Sequence, residues 1–301
     1  MGGCDILIRG GEVIDGSGGA PFRADVAIAG DRIAAIGAVA GREGARRVID
    51  AGGMVVAPGF IDIKTHSDFT LPINTLAESK VRQGVTTEVI GHCGFSVAPA
   101  LPGKAEMLRD YLSPSAPWIT FRETSFADYL GTFPATSTNV CALVGHNTLR
   151  LMVMGMAARP ANGEELGQMA ALLEEALEAG ALGLSTGLFA PPGCFAPTEE
   201  ILALAHVLRR HGAAYFSHLR DESRGVFEAL DEAIRIGAET GVHVQVVHVK
   251  LSGLDNWGRA GRLLDMLAAA RERGVRVDCD QYPYTAASNP LKNLLPPWVQ
   301  V

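Results

Sequence analysis

The sequence of 301 residues contains no apolar run that approaches the ~20 residues of a membrane-spanning helix. Its 5 cysteines are odd in number and far apart, which suits a reducing cytoplasm better than a disulfide framework. No basic segment followed by an apolar core opens the chain, so we expect no secretion signal and a cytoplasmic location. Acidic residues outnumber basic ones by 33 to 26, and the net charge is -7. We therefore expect no binding to nucleic acid or to a membrane surface.

Apolar residues, in contrast, are plentiful at 48% of the chain, and charged residues make up 20%. This balance is typical of a folded enzyme and argues against disorder. A chain of this length can bury a sizeable core, so one barrel and a small accessory domain fit within it.

Two patterns divide the sequence. The beginning consists of short segments with alternating apolar residues, separated by glycine-rich turns, and this pattern predicts a small β-sandwich over residues 1–56. From Val55 onward, apolar runs alternate with stretches of helical periodicity, which is typical of βαβ units. We therefore expect a domain boundary between residues 56 and 57.

The second region, 57–301, predicts a (β/α)8 barrel that lacks one strand. Its strands are expected near 55–66, 86–93, 138–146, 181–187, 213–219, 243–250 and 275–282. A closed TIM barrel has eight strands, so we expect an incomplete α/β barrel without its eighth strand, as in a truncated protein. The long segment 99–137 stands between the second and third strands, and excursions of this length usually line or cover the site of a barrel.

Histidine and cysteine side chains stand near the C-terminal ends of four predicted strands. They are His66, Cys93, His218 and His248. In (β/α)8 barrels these strand ends meet in one active site, so we expect the side chains to converge. One strand-end histidine is more often an ordinary residue than a ligand, but several on separate strands favour a metal site. Zinc prefers neutral imidazole and thiolate, and a catalytic zinc site with three protein ligands is predicted at Cys93, His218 and His248.

Neighbouring residues extend this predicted site. Side chains two apart on a strand share a face, so Lys64 lies with His66, which is a further candidate ligand. By the same spacing Lys250 lies with His248 in the barrel mouth. His146 ends the third predicted strand, and this position makes it a candidate for contact with the substrate.

Seven segments carry the motifs of a known family. They are ILIRGGEVIDGSG, VAPGFIDIKTHSD, RQGVTTEVIGHCG, LGLSTGL, FSHLRDES, VVHVK and DCDQYPYTAAS, and together they cover essentially the whole chain. On these segments the chain resembles the N-acyl-D-amino-acid deacylases (D-aminoacylases) of the amidohydrolase superfamily. The PGFID-x-x-x-H element after an N-terminal β-sandwich is fairly specific for the superfamily, and the Cys-Gly pair after the second strand is specific for this branch.

The resemblance implies a fold, a cofactor and a reaction. The implied fold is a barrel of the metal-dependent hydrolase type. One tightly bound zinc ion is assigned to Cys93, His218 and His248. The carboxylate of the substrate is assigned to Lys250, Tyr282 and Ser288, and a cationic ammonium beside a phenol suits such an anion. The implied reaction is zinc-dependent hydrolysis of the amide bond of a small molecule, an N-acyl-D-amino acid, to a D-amino acid and a carboxylate.

The sequence departs from the family pattern in two places. Lys64 stands where the first histidine of a His-x-His pair is usual, and a protonated lysine does not bind a metal. We expect a weakened second metal position, and we hypothesise that the Lys64 ammonium partly replaces the second cation. The catalytic Asp of the family ends the eighth strand, and we expect it beyond residue 301. Three other acids stand near the predicted site, and none of them matches the family's motif for the catalytic Asp: Asp221, Glu222 and Asp280.

Two other functions fit parts of the sequence. A cyclic amide hydrolase of the hydantoinase or dihydroorotase kind uses a carboxylated lysine as bridging ligand, whereas the fourth strand here reads LGLSTGL. Cys93 also favours the branch that acts on linear amides. A truncated paralogue that binds zinc without catalysis is the second alternative, which Lys64 and the expected position of the Asp favour.

Overall fold

The structure is a computed structural model that describes residues 4–38, 44–291, 295–296 and 299–300. The chain forms two compact units, Met1–Phe60 and Ile61–Val301. The sequence predicts the boundary a few residues earlier, between 56 and 57. Among the described residues we find no helix with the length and apolar content that a membrane span requires.

The first unit is a five-stranded sheet. Its strands are β1 (Ile6–Val13), β2 (Phe22–Ala29), β3 (Arg32–Gly37), β4 (Arg47–Asp50) and β5 (Val55–Val56). β1, β2 and β3 form an antiparallel meander, and β4 and β5 both pair with β1 in parallel. Leu7 and Ala27 belong to one small apolar cluster, and Ile8 and Val26 belong to another. The predicted strands are present, but the described residues form one mixed sheet, because β4 and β5 join β1 instead of building a second layer.

The second unit is built on a curled parallel sheet of seven strands. They are β6 (Phe60–Asp62), β7 (Val85–Ile90), β8 (Asn139–Gly145), β9 (Gly183–Gly187), β10 (Ala214–His218), β11 (His243–Val246) and β12 (Val277–Cys279). The strands lie side by side in sequence order, as successive βαβ units require. Each observed strand overlaps a predicted one. In the described part of the chain, β6 and β12 form the two edges of this sheet.

Helices alternate with these strands along the chain. They are α1 (Glu78–Val81), α2 (Ala105–Leu112), α3 (Phe126–Thr132), α4 (His146–Met154), α5 (Gly163–Glu178), α6 (Thr198–Arg210), α7 (Val226–Thr240) and α8 (Ala260–Glu272). α5 begins with a capping box in which Asn162 and Glu165 exchange hydrogen bonds. α7 ends at Gly241, whose left-handed conformation terminates the helix.

Three apolar clusters stabilise the second unit: a small one among strand residues, with Val89 and Phe216, and two larger cores that also involve helices. The larger core joins strands and helices and contains Leu184 of β9 and Leu230 of α7. The smaller core belongs to the excursion between β7 and β8, where Leu108 and Leu112 of α2 cluster with Leu151 of α4. The long segment that the sequence marks at 99–137 is therefore a packed element with a core of its own.

Candidate metal centre

Three of the predicted ligands meet at the carboxyl ends of β7, β10 and β11. Cys93 follows β7, His218 is the last residue of β10, and His248 follows β11. The Sγ atom of Cys93 lies 3.4 Å from Nδ1 of His218 and 3.3 Å from Nε2 of His248. One ligand atom from each residue lies within 4.8 Å of the others, and all three side chains are buried. This spacing can accommodate a metal ion.

The backbone around these ligands adopts conformations that side chains rarely allow. Cys93 has a φ of 58° and His248 a φ of 40°, both in the left-handed region. Gly94 follows Cys93 with a φ of 78°. A Cβ atom on Gly94 would lie 2.4 Å from Oδ1 of Asn147. A Cβ atom on Gly187 of β9 would lie 2.1 Å from the carbonyl oxygen of Cys93. Such strain persists only where the surroundings enforce it, and it is concentrated here at the ligand positions.

The surroundings also set the protonation states of the ligands. Burial opposes ionisation of the Cys93 thiol, but the facing His218 and Lys64 hold its pKa well below the usual value. Burial lowers the pKa of His218 and so favours its neutral form. Burial also lowers the pKa of His248, but its hydrogen bonds to Cys93 and Glu222 prevail and raise it. A thiolate and a neutral imidazole are the forms in which these side chains bind a metal. Two imidazoles and one thiolate are a donor set that fits zinc.

Glu222 orients both histidine rings from the side opposite Cys93. Its Oε1 atom lies 3.1 Å from Nδ1 of His248 and 3.7 Å from Nε2 of His218. The remaining ring nitrogens, Nε2 of His248 and Nδ1 of His218, face the sulfur of Cys93. Metal-binding histidines commonly have such a carboxylate partner, which fixes the tautomer of the ring. The sequence marks Glu222 only as a nearby acid, and its one signal is the i,i+4 spacing from His218.

Two further contacts complete the surroundings of the histidines. The ring of Phe189, which the sequence does not single out, stacks on His218 with centroids 3.9 Å apart. Nζ of Lys250 lies 2.5 Å from Oε1 of Glu222 and 3.1 Å from Nδ1 of His248. Burial raises the pKa of Glu222, but its hydrogen bond to His248 and the charges of the neighbouring cations prevail and lower it to about 2.

A cavity of about 570 Å³, here called the metal cavity, opens in front of the three ligands. It brings together the other residues predicted for the site: Lys64, His66, Lys250, Tyr282 and Ser288. Nζ of Lys250 lies 5.7 Å from the centre of the Tyr282 ring, so an ammonium and a phenol stand together. His66 borders the metal cavity and stacks on Phe69 with centroids 5.8 Å apart, but it does not join the three converging ligand atoms.

Two of the acids that the sequence places near the site, Asp280 and Asp221, accept hydrogen bonds that shape the backbone. Asp280 accepts one hydrogen bond from the backbone amide of His248 at 2.6 Å and another from Nε2 of Gln245 at 2.8 Å. Asp221 accepts a hydrogen bond from the amide of Ser223 at 2.6 Å in the loop after β10. Asp280 borders the metal cavity, and its hydrogen bond supports the strained backbone of His248.

His146 does not lie at the metal cavity, and the prediction that it contacts the substrate is wrong. β8 ends at Gly145 and α4 begins at His146 itself, and the side chain is completely buried at this junction. Its Nε2 atom lies 2.8 Å from Oε1 of Glu200, whose carboxylate also accepts two hydrogen bonds from Arg150. His146 therefore belongs to a buried ion-pair network that joins α4 to α6.

Comparison with known proteins relates this site to a family. A sequence profile described as the amidohydrolase family matches residues 47–280. The chain is 43% identical to D-aminoacylase from Alcaligenes xylosoxydans xylosoxydans over 290 residues, which are 96% of this chain and 59% of the relative. It is 44% identical to N-acyl-D-aspartate deacylase from the same organism, over 94% of this chain and 57% of the relative.

A solved structure extends this relation to three dimensions. The crystal structure of N-acyl-D-glutamate deacylase from Bordetella bronchiseptica, complexed with zinc and a phosphonate inhibitor that mimics the tetrahedral intermediate, has a TM-score of 0.84 at 40% identity. The match covers 94% of this chain and 59% of that chain. The chain thus spans less than two thirds of the length of the proteins it resembles. Because the family profile extends over well more than half of it, this chain belongs to the amidohydrolase family.

Proposed function

We propose that this protein hydrolyses the amide bond of N-acyl-D-amino acids and releases a D-amino acid and a carboxylate. The observation that carries the proposal is the convergence of Cys93, His218 and His248 in front of a cavity that also contains Lys250 and Tyr282. The relatives described as D-aminoacylase and N-acyl-D-aspartate deacylase support the substrate class and its D configuration.

The metal in this proposal is one zinc ion. Three atoms would hold it: Sγ of Cys93, Nδ1 of His218 and Nε2 of His248. A zinc ion on three protein ligands supplies Lewis acidity, which polarises a carbonyl group and makes water more acidic. The relative crystallised with zinc supports this choice of metal.

The residues of the metal cavity bind and orient the substrate. We assign its carboxylate to the ammonium of Lys250 and the phenol of Tyr282, with Ser288 beside them. Charge-assisted hydrogen bonds to that carboxylate hold the amide bond in front of the ligands, and fixed orientation of this kind lowers the barrier to reaction. Glu222 keeps the rings of the ligands and Nζ of Lys250 in place.

Lys64 takes the place of a second metal ion in this proposal. It borders the metal cavity with His66, and its charge lowers the pKa of the Cys93 thiol. A protonated lysine cannot coordinate a metal, so we propose that its ammonium supplies part of the charge of a second cation and that one zinc ion binds per chain.

Release of the amine requires an acid–base group within reach of the amide bond. Asp280 and Glu222 border the metal cavity, but the first holds the backbone of His248 and the second holds its ring. In the family that the chain resembles this role belongs to an Asp at the end of an eighth strand, for which the described residues offer no counterpart.

Two alternative functions can be distinguished from this proposal, one by the sequence of β9 and the other by the absence of amide hydrolysis. β9 reads GLSTG and so has no lysine for the carboxylated bridging ligand of the cyclic amide hydrolases. A zinc-binding protein without catalysis would take up the metal and leave linear and cyclic amides intact.

Zinc content and substrate range test the proposal together. We expect about one zinc ion per chain in the purified protein, lost in Cys93→Ala and kept in Cys141→Ala, which changes a half-buried cysteine of β8. N-acetyl-D-amino acids should be hydrolysed, and N-acetyl-L-amino acids, hydantoins and dihydropyrimidines should not. Zinc without turnover of any amide would favour the non-catalytic alternative, and preferential hydrolysis of cyclic amides would overturn the proposal.

A further inference from the structure

A second cavity of about 440 Å³, here called the apolar cavity, adjoins the metal cavity. The two share His66, Phe95, Ser288 and Asn289 on their walls, so a molecule bound at the ligands can extend from one into the other. The aromatic and aliphatic side chains that line the apolar cavity include Phe69, Phe95, Tyr111, Leu112, Met156 and Pro191, and the uncharged polar side chains of Ser115, Asn289 and Gln300 line it as well. None of the described residues that line it is an Asp, Glu, Lys or Arg, whereas Lys64, Glu222 and Lys250 all border the metal cavity.

One wall of the apolar cavity is the surface of the small core that the segment 99–137 builds. Phe69 and Leu112 are members of that core, with 5% and 3% of their surfaces exposed. Phe95, Tyr111 and Met156 are partly buried and pack against it. The wall is therefore backed by close-packed side chains and is formed before any ligand binds, which reduces the ordering that binding requires.

The hydroxyl group of Tyr111, one of the residues in this wall, is directed into the protein. Its ring packs edge to face against Phe95, with centroids 5.6 Å apart. The hydroxyl of Tyr111 donates to the carbonyl oxygen of Pro191 at 2.8 Å and accepts from Nδ2 of Asn147 at 3.0 Å. Since these bonds satisfy the hydroxyl, this wall of the apolar cavity offers its ligand the faces and edges of aromatic rings and aliphatic side chains.

The lining residues indicate which end of the substrate meets this cavity. Lys250 and Tyr282 border the metal cavity and do not border the apolar cavity, whereas His66 and Phe95 border both. In an N-acyl amino acid the carboxylate lies on the nitrogen side of the amide and the acyl chain lies on the carbonyl side. With the carboxylate at Lys250 and the amide at the ligands, the acyl chain is directed away from Lys250.

From this arrangement we infer that the apolar cavity is an acyl-chain subsite, and that the preferred substrates carry an uncharged acyl group several carbons longer than acetyl. The inference rests on the proposed hydrolysis of N-acyl-D-amino acids and adds the class of acyl group to it. Charged acyl groups, such as succinyl, are excluded because the described lining residues include no Lys or Arg to pair with the buried charge.

The direct test is a series of N-acyl-D-alanines with acetyl, butanoyl, hexanoyl and octanoyl groups. While the cavity fills, each added methylene should raise kcat/KM by roughly threefold to fourfold, chiefly through KM. A parallel series keeps the acetyl group and lengthens the side chain from D-alanine to D-norleucine. This second series should show no comparable gain, and a gain confined to it would overturn the assignment to the acyl chain.

Two tryptophan substitutions locate the effect. Ser115→Trp places a large ring at the exposed rim of the apolar cavity and should reduce the ratio of octanoyl to acetyl kcat/KM at least tenfold. Ala127→Trp changes an exposed position of α3 in the same segment that does not line the cavity and should leave this ratio unchanged. Equal ratios in both variants would overturn the inference.

A binding measurement separates this inference from the proposed function. Calorimetry with Cys93→Ala compares the affinities of N-acetyl- and N-octanoyl-D-alanine without turnover. If no N-acyl-D-amino acid is hydrolysed but the octanoyl compound binds at least tenfold more tightly and Ser115→Trp abolishes the difference, the proposed function fails and the subsite stands. If N-acetyl-D-alanine is hydrolysed but affinity and kcat/KM are flat along the acyl series, the proposed function stands and the subsite is refuted.

Discussion

Glu222 holds the imidazole of His248 by the nitrogen opposite the candidate metal position: its Oε1 lies 3.1 Å from Nδ1, while Nε2 of the same ring lies 3.3 Å from Sγ of Cys93. Carboxylate, imidazole and thiolate thus form a chain in which each group orients the next. The carboxylate also contacts Nζ of Lys250, so one side chain couples a candidate metal ligand to the residue assigned to the substrate.

The first prediction concerns this carboxylate. Glu222→Gln keeps the shape of the side chain but removes the charge that orients and polarises His248, so zinc affinity should fall about 10-fold to 100-fold. Competition with a chelator of known affinity measures the change. Glu228→Gln, at an exposed position of α7, is the control and should bind zinc like the unmodified protein. An unchanged affinity in Glu222→Gln would mean that Glu222 serves Lys250 alone.

The second prediction concerns the close approach behind Cys93. Gly94→Ala would put a Cβ atom 2.4 Å from Oδ1 of Asn147 at a φ of 78°, so strain and steric overlap both act. Gly103→Ala has a similar φ of 74° but meets nothing within 4 Å, so it isolates the backbone strain. Urea unfolding should give a loss of about 1 kcal/mol for Gly103→Ala and more than about 2 kcal/mol for Gly94→Ala. Equal losses would show that the backbone moves to make room at Gly94.

The third prediction is a loss of stability in acid that depends on Glu200. Burial raises the pKa of this carboxyl, but its bonds to His146 and Arg150 prevail and lower the pKa from 4.5 to about 2. A group whose pKa is lowered by folding contributes stability that is fully present above the unfolded-state value of 4.5. This contribution is lost progressively as the pH falls from 4.5 through about 2.

Chemical unfolding across this pH range measures the effect. The free energy of unfolding should fall more steeply toward acid in the unmodified protein than in Glu200→Gln, which has no carboxyl at that position. At neutral pH the variant should be less stable by about 3 kcal/mol, because it leaves the Arg150 guanidinium buried without its charge partner. Glu199→Gln, exposed on the same helix, should keep the steep dependence. Parallel slopes for all three proteins would contradict the prediction.

The fourth prediction concerns the number of metal ions. Lys64→His restores an imidazole two residues before His66 in the metal cavity, so the variant should bind a second, weaker zinc ion when zinc is in excess. Lys64→Met removes the charge without adding a ligand and should still bind about one zinc ion per chain. Elemental analysis after equilibrium dialysis counts the ions. A Lys64→His variant with no additional zinc would count against the idea that Lys64 replaces a cation.

The convergence of Cys93, His218 and His248 could be predicted because it depends on a general property of parallel sheets. Each residue stands at or just after the carboxyl end of a strand, and neighbouring parallel strands deliver those ends to one edge. The same rule failed for His146. Its ring is held by Glu200, 54 residues further along the chain, and no local pattern announces a partner at that separation.

The segment 99–137 marks the limit of such rules in another way. Its length alone indicated a role near the site, but its core and the apolar cavity depend on how Leu112 and Phe69 meet across more than forty residues of sequence. The hydroxyl of Tyr111 also finds its acceptor, the carbonyl of Pro191, 80 residues away.

The sequence by itself determined the alternation of strands and helices, the order of the strands and the identity of the converging donors, because periodicity and strand-end position are local properties of the chain. Only the tertiary structure decided that Glu222 orients two rings, that Asp280 braces the backbone of His248, that His146 turns into the core and that an apolar cavity opens beside Phe95. These features require side chains from distant segments to reach atomic contact. Contact at that precision depends on the packing of the whole domain.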